Sequence, residues 1–360
     1  MISQKQLVSL LVLIICFNNF GVFKMMTMIH GQRDAWIGVL LSSIPALIWA
    51  FVLAWISHRM SSVTVQGWLK QRAGTFIGVL ITAVLAVILM LNLYVNMTDL
   101  IHWVNIWFLP NTPNFIVVFI ISVSVLLGSL LGLRTLAIAA GILLPIVVVL
   151  FVILLFGIFK FLHFYELVPL LERGWIPVRG SLLSSLAGMS DWFILIVLAP
   201  FVDTKSKINF KTIYALLLVH VITLVVPIVI SLGAFGTIES IQQRTPVFEQ
   251  WRLAKLGMNF SHIDSLSIIY FFSVSLIRQS LLLFAVCSLM PRKTMSPSVG
   301  VMIVIWLAIS CVCLMSTNDL KFIQLSVRWH DLALGLGLGA AAMAFFILSF
   351  RRLKVKPGAG

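Results

Sequence analysis

The chain has 360 residues, 61% hydrophobic and only 10% charged. That balance excludes an ordinary soluble globular protein and predicts an integral membrane protein that crosses the bilayer many times. The net charge of +14 does not point to nucleic acid, because the basic residues lie in short runs between apolar spans, where they act as topology signals.

Apolar runs predict ten spans, at about 7–29, 35–57, 74–97, 115–133, 135–159, 181–200, 212–235, 265–290, 297–315 and 333–350. The expected fold is therefore all-α, one polytopic membrane domain over residues 1–360. Lys and Arg gather in alternate connections, among them Lys70, Arg72, Lys205, Lys207, Lys211, Arg292, Lys293, Arg351 and Arg352. That bias predicts that both termini are cytoplasmic. The first apolar run lacks a small-residue cleavage site and is expected to be retained as a helix.

Span one is interrupted by Asn18, Asn19, Phe20 and Gly21. Asparagine and glycine are poor helix formers and buried amides need partners, so the helix loosens there or the amides bond to a neighbouring helix. At the start of span two, Asp34 is placed to cap the helix. Residues 61–74 set Val63, Val65, Trp68 and Leu69 against Gln66, Lys70, Gln71 and Arg72, as in a short helix lying on the membrane face. Span three carries Tyr94 and, at helical spacing on one face, Asn92, Asn96 and Asp99. Pro110 and Pro113 then mark a turn. Spans four and five are nearly uniform aliphatics, and a polar connection over 160–180 separates the first five spans from the second five.

Span six, from Ser181 to Pro200, carries Gly188, Met189, Ser190 and Asp191 in an otherwise apolar run. At ~1.5 Å per residue, Asp191 sits near the middle of a ~30 Å hydrocarbon layer, where a charge costs on the order of 3 kcal/mol. It either contacts a ligand or holds two helices together by pairing. His220, in span seven, is expected to bond to a carbonyl. The connection over 236–262 is expected to be helical and to cover a cavity mouth. Span eight holds a second charge, Arg278, within about one turn of the depth of Asp191, so the two are able to meet. Tyr270 and Ser273 add polar contacts on the same helix. All four cysteines, Cys16, Cys287, Cys311 and Cys313, lie in apolar spans, and Cys311 and Cys313 point to different faces. No spacing suited to nucleophilic catalysis or metal binding is found, so neither an enzyme nor a cofactor is expected.

Ten spans divided by one connection give five plus five, with the halves in opposite topology. The first span of each half carries the polar, glycine-containing interruption. This is the pattern of an inverted-repeat transporter fold, with first repeat about 1–160, second about 181–350, and broken helices one and six around a midplane site. The candidate ligand-binding residues are Asn18, Asn19, Gly21, Tyr94, Gly188, Met189, Ser190, Asp191, Tyr270, Ser273 and Arg278.

Several short motifs, in order, carry a resemblance. They are Gln6-Leu7, Arg33-Asp34-Ala35-Trp36, Thr64 with Trp68-Leu69, Gly74 and Gly78, Leu109-Pro110 with Thr112-Pro113, Leu167 to Pro169 with Leu171-Glu172 and Gly174, Thr245-Pro246 with Arg252, and Asp264. Together the chain resembles the B subunits of nutrient germinant receptors of bacterial spores, relatives of the amino acid permeases. The resemblance implies a protein of the spore inner membrane that senses a small nutrient, with a larger A-type membrane subunit and a C-type lipoprotein as partners. It also implies a Pro, Phe, Gly and Glu cluster in span six, where this chain has Ala187 to Asp191, and often a Lys where this chain has Arg278. The second expectation, from another class, is an ion-coupled secondary transporter of amino acids in which Asp191 binds the coupling ion.

Overall fold

The computed structural model describes residues 2–16, 22–60, 64–202, 210–256, 263–290, 297–316 and 347. Among these residues the chain is helical, and extended backbone pairs only at one bridge, Ile2 with Val202. Seven helical stretches are long and apolar enough to cross a membrane: Thr27–His58, Thr75–Trp107, Gly132–Phe161, Trp175–Phe201, Phe210–Gln242, Leu266–Leu289 and Val299–Ser316. The chain is an integral membrane protein. Expected spans two, three and five to nine correspond to these stretches. Spans one and four contain the shorter apolar helices Gln4–Ile15 and Asn114–Leu130, and span ten, apart from residue 347, lies outside the described residues.

Helix α1 (Gln4–Leu11) starts at a capping box: the Ser3 hydroxyl accepts the Gln6 N–H while the Gln6 side chain accepts the Ser3 N–H. It widens into a π turn over Val12–Cys16, so regular α geometry is lost just ahead of the polar interruption. Asn18, Asn19 and Gly21 themselves lie outside the described residues. The chain continues as α2 (Val22–Gly31), α3 (Ala35–Arg59) and α4 (Val65–Ala73). Helix α4 is the expected amphipathic piece, with Val65, Trp68 and Leu69 buried. Asp34 stands at the N-cap of α3 without capping it. Its carboxylate accepts the Leu171 N–H at 3.1 Å instead, because the 160–174 connection folds back over the start of α3.

Helix α5 runs over Thr75–Trp107, past the expected end near 97. Asp99 and His102 continue the helix, which stops only where Leu109-Pro110 removes a backbone donor. Then come α6 (Asn114–Leu130), opened by Pro113, and α7 (Gly132–Ile158). Span six begins at Trp175, ahead of the expected 181, because Arg179 and Gly180 are carried in the first turns of α8 (Trp175–Gly188). The helix then tightens to 3-10 geometry over Met189–Phe193, resumes as α9 (Ile194–Leu198), and ends in a 3-10 turn at Ala199–Phe201.

Helix α10 (Phe210–Gln242) bends at Gly236, whose φ of 72° suits glycine. Beyond it lies α11 (Pro246–Leu253), the expected helix in the long connection. Gln250 pins α11 down, its Nε2 donating to Pro227 O and Ser231 Oγ at 2.6 Å each. Helices α12 (Leu266–Leu289) and α13 (Val299–Ser316) follow. Cys313 is buried and Cys311 exposed, as their spacing implied.

The helices assort into two groups. α2, α3, α8 and α10 pack on one another, and α5, α6, α12 and α13 form the second group, while α1 leans on α7. In the first group the approach is very close. A Cβ on Gly38 would lie 1.9 Å from Ser181 Oγ and 2.5 Å from Val178 O, so only glycine lets α3 and α8 meet there. The second group is centred on α12, which is buried without a break from Ile277 to Leu289.

Candidate functional site

The two intramembrane charges meet between these groups. Arg278 Nη2 donates to both carboxylate oxygens of Asp191, at 2.8 and 2.7 Å. The side chains are 1% and 5% exposed, respectively, which makes this a fully buried ion pair. Asp191 reaches it from the 3-10 segment Met189–Phe193, where the glycine-containing stretch departs from α geometry. Arg278 comes from midway along α12.

Helix α5 completes the site. Asn92 Nδ2 donates to Asp191 Oδ1 at 3.1 Å, while Asn92 Oδ1 accepts from Arg278 Nη2 at 3.2 Å. Arg278 Nη1 donates to Asn96 Oδ1. Asn96 Nδ2 in turn donates to Asn92 Oδ1 and to Asn92 O, at 2.6 and 2.7 Å. Gln279 Nε2 donates to Asn96 O at 3.2 Å. These bonds matter energetically. Removing two charges from water costs several kcal/mol per ion, offset only when geometry is good and the remaining donors and acceptors are satisfied. The asparagines supply that satisfaction, and the formal charge of the Arg278–Asp191 pair is zero. One buried atom at the edge, Gln279 Oε1, has no hydrogen-bond partner among the described residues.

Toward α11 the polar network is roofed by aromatic rings. Trp103, two turns beyond Asn96 on α5, packs against Phe248 and Phe271 with centroids 5.6 and 5.3 Å apart. Trp251 meets Tyr270 at 5.7 Å. Away from this centre, an apolar cleft of about 470 Å³ between α6 and α13 is lined by Phe119, Trp306 and Leu307 among others and contains none of the network residues.

The expected site residues fall into three sets. Asp191 and Arg278 are joined, and the backbone of Gly188, Met189 and Ser190 leads directly into the Asp191 turn. Tyr270, Ser273 and Tyr94 are not drawn into the ion pair. Tyr270 belongs to the aromatic roof, and the Ser273 hydroxyl donates to Ile269 O on its own helix. Tyr94, two residues from Asn92, occupies another face of α5. Asn18, Asn19 and Gly21 lie outside the described residues. Asn92, Asn96 and Gln279 were absent from the candidate set; the i, i+4 spacing of the asparagines was the signal that pointed to them.

His220 on α10 is fully buried, and its Nδ1 lies 3.1 Å from Ile15 O in the π turn, the carbonyl bond expected of it. The same π turn packs against α10, α12 and the 3-10 segment of span six. The two irregular stretches of helix therefore adjoin one another beside the ion pair.

A buried, neutralised ion pair at a helix interruption, held between two groups of membrane helices, suits a protein that recognises a small polar solute or changes conformation. Comparison with known proteins agrees with a permease-like chain. Spore germination protein XB of Bacillus anthracis is 24% identical over 304 residues, covering 84% of this chain and 85% of that protein. Residues 1–323 match the family described as Spore germination protein, the spore permeases, and the chain belongs to that family.

Proposed function

We propose that the chain is the B subunit of a nutrient germinant receptor in the inner membrane of the spore, with both termini cytoplasmic. In this reading it is built from ten helices as an inverted five-plus-five repeat. The grouping of helices supports the repeat: spans one, two, six and seven pack together, as do three, four, eight and nine, so each of spans one to four pairs with the one five later.

The observation that carries the functional reading is the Arg278–Asp191 pair at the 3-10 interruption. A small nutrient with a carboxylate and an ammonium group, such as an amino acid, exchanges one ion pair for two, its carboxylate on Arg278 and its ammonium on Asp191. The backbone of Gly188 to Ser190, where the helix tightens to 3-10 geometry, offers further bonds to such a solute. Binding biases the equilibrium between the two helix groups, and the change passes to an A-type membrane subunit and a C-type lipoprotein.

The test has two arms. Spores lacking the gene are scored for germination on a panel of nutrients, and the purified chain is assayed for radiolabelled uptake in vesicles. A germination defect confined to particular nutrients is expected. Robust uptake with normal germination of the deletant refutes the receptor and favours an ion-coupled transporter, which the same buried carboxylate at an interrupted helix would serve. For the site, Asp191→Glu and Arg278→Lys keep both charges but displace them, and each is expected to raise the nutrient concentration for half-maximal germination while the protein still accumulates in the membrane.

A further inference from the structure

We propose that His220 is a positioning residue that couples the two interrupted helices, so that a movement of Asp191 reaches α1. A carbonyl oxygen can only accept, so the contact with Ile15 O puts the proton of that bond on His220 Nδ1. The same imidazole faces Trp192 nearly edge-on, centroids 6.2 Å apart at an interplanar angle of 81°. Trp192 immediately follows Asp191 and is 1% exposed, while Ile15 is likewise 1% exposed and His220 is fully buried. A dense interior leaves such a ring no room to yield alone. On the same helix, Thr223 Oγ1 donates to the His220 main-chain carbonyl at 2.9 Å.

A second contact joins the same two elements. At the other end of α1, the Ile2 N–H donates to Phe201 O at 3.0 Å, and Ile2 is buried. Helix α1 is thus tied to span six at both ends, through His220 and Trp192 near the ion pair and through Phe201 at the far end. Release of Asp191 from Arg278 shifts Trp192. The imidazole passes that shift to the π turn, and α1 moves with span six rather than staying fixed against α7.

This inference rests on reading the Arg278–Asp191 pair as the responsive element, so its test uses Asp191→Asn as the trigger and needs no nutrient. Hydrogen–deuterium exchange of the peptide covering residues 2–16 is measured on the full chain in lipid nanodiscs, in four backgrounds: His220, His220→Leu, His220→Asn and His220→Gln. With His220, Asp191→Asn is expected to speed exchange about five-fold, the factor given by one hydrogen bond. With His220→Leu, exchange is fast from the outset and Asp191→Asn adds nothing. Asparagine places an amide nitrogen where Nδ1 stands and is expected to restore the wild-type response; glutamine, which mimics Nε2, is not. If the Leu variant does not accumulate, the contrast between Asn and Gln decides the matter. An Asp191→Asn effect that is the same in all backgrounds, or absent with His220, overturns the coupling. A germination defect in Asp191→Asn spores with unchanged α1 exchange refutes the coupling and leaves the nutrient site standing. The reverse pattern refutes the nutrient site alone.

Discussion

Removing one member of the central ion pair should be more damaging than removing both. Asp191→Asn leaves Arg278 charged at 1% exposure, and Arg278→Gln leaves Asp191 charged beside Asn92. Each single variant is expected to cost about 3–5 kcal/mol, since an uncompensated buried charge remains. That is a large part of the ~5–15 kcal/mol that separates a typical folded protein from its unfolded state. The double variant carries two neutral amides facing Asn92 and Asn96, with no charge to desolvate. It is expected to cost no more than either single, which corresponds to a coupling of at least about 3 kcal/mol. The assay is the apparent unfolding temperature of the purified chain in one detergent, measured for all four proteins of the cycle. If the double variant loses the sum of the two single losses, Arg278 and Asp191 act independently, and the pair does not hold the helix groups together.

Three further outcomes follow from the packing around this centre. Gly38→Ala puts a methyl group against Ser181 Oγ and Val178 O and should destabilise by about 1–3 kcal/mol through overpacking; Ser181→Gly should recover only part of this, because the Val178 carbonyl stays, and the same thermal assay reads both. Gln250→Leu removes both bonds that hold α11 to α10 and should increase protease cleavage within 243–256 while leaving the exchange of α12 unchanged. The Glu249 pKa is raised from 4.5 by burial, against the opposing pull of Arg252 and with a smaller contribution from Glu239. A carboxyl group whose folded pKa is raised binds protons more tightly when folded, so α11 should be better protected from exchange as pH falls through that raised value toward 4.5; Glu249→Gln should abolish the trend.

The sequence revealed the charges more clearly than the polar residues around them. Asp191 and Arg278 stood out because each is costly in an apolar run, and equal depth along two helices was enough to pair them. Asn92 and Asn96 shared a face by spacing, but an amide in a membrane helix has many acceptable neighbours. Only the packing of α5 against α12 decides that the neighbour is Arg278. Tyr270 lies two turns from Arg278, packed against Trp251, so its place relative to the ion pair could not be read from the sequence. The ends of α5 and α8 were misjudged because Asp99, His102, Arg179 and Gly180 read as boundary residues, whereas tertiary contacts outweigh such local preferences. His220 was expected to find a carbonyl, yet only folding could select the one at Ile15, 205 residues earlier in the chain.

The strength of the central pair also limits what can act on it. A ligand shifts an equilibrium only by the difference in its affinity for the two states, and moving a two-state population from 1:99 to 99:1 takes about 5.5 kcal/mol. A solute with one charge would release either Arg278 or Asp191 and strand the other, giving back about as much as it gains. A solute bearing both charges compensates each partner as it separates them, so the cost of opening falls to the geometry of the asparagine bonds. On the proposed reading, the network therefore selects by electrostatics before any pocket shape is considered. Arg278→Lys tests this: a lysine keeps the charge but cannot donate to Asp191, Asn92 and Asn96 in one planar arrangement. It should weaken the clamp while leaving discrimination between doubly charged and singly charged solutes intact.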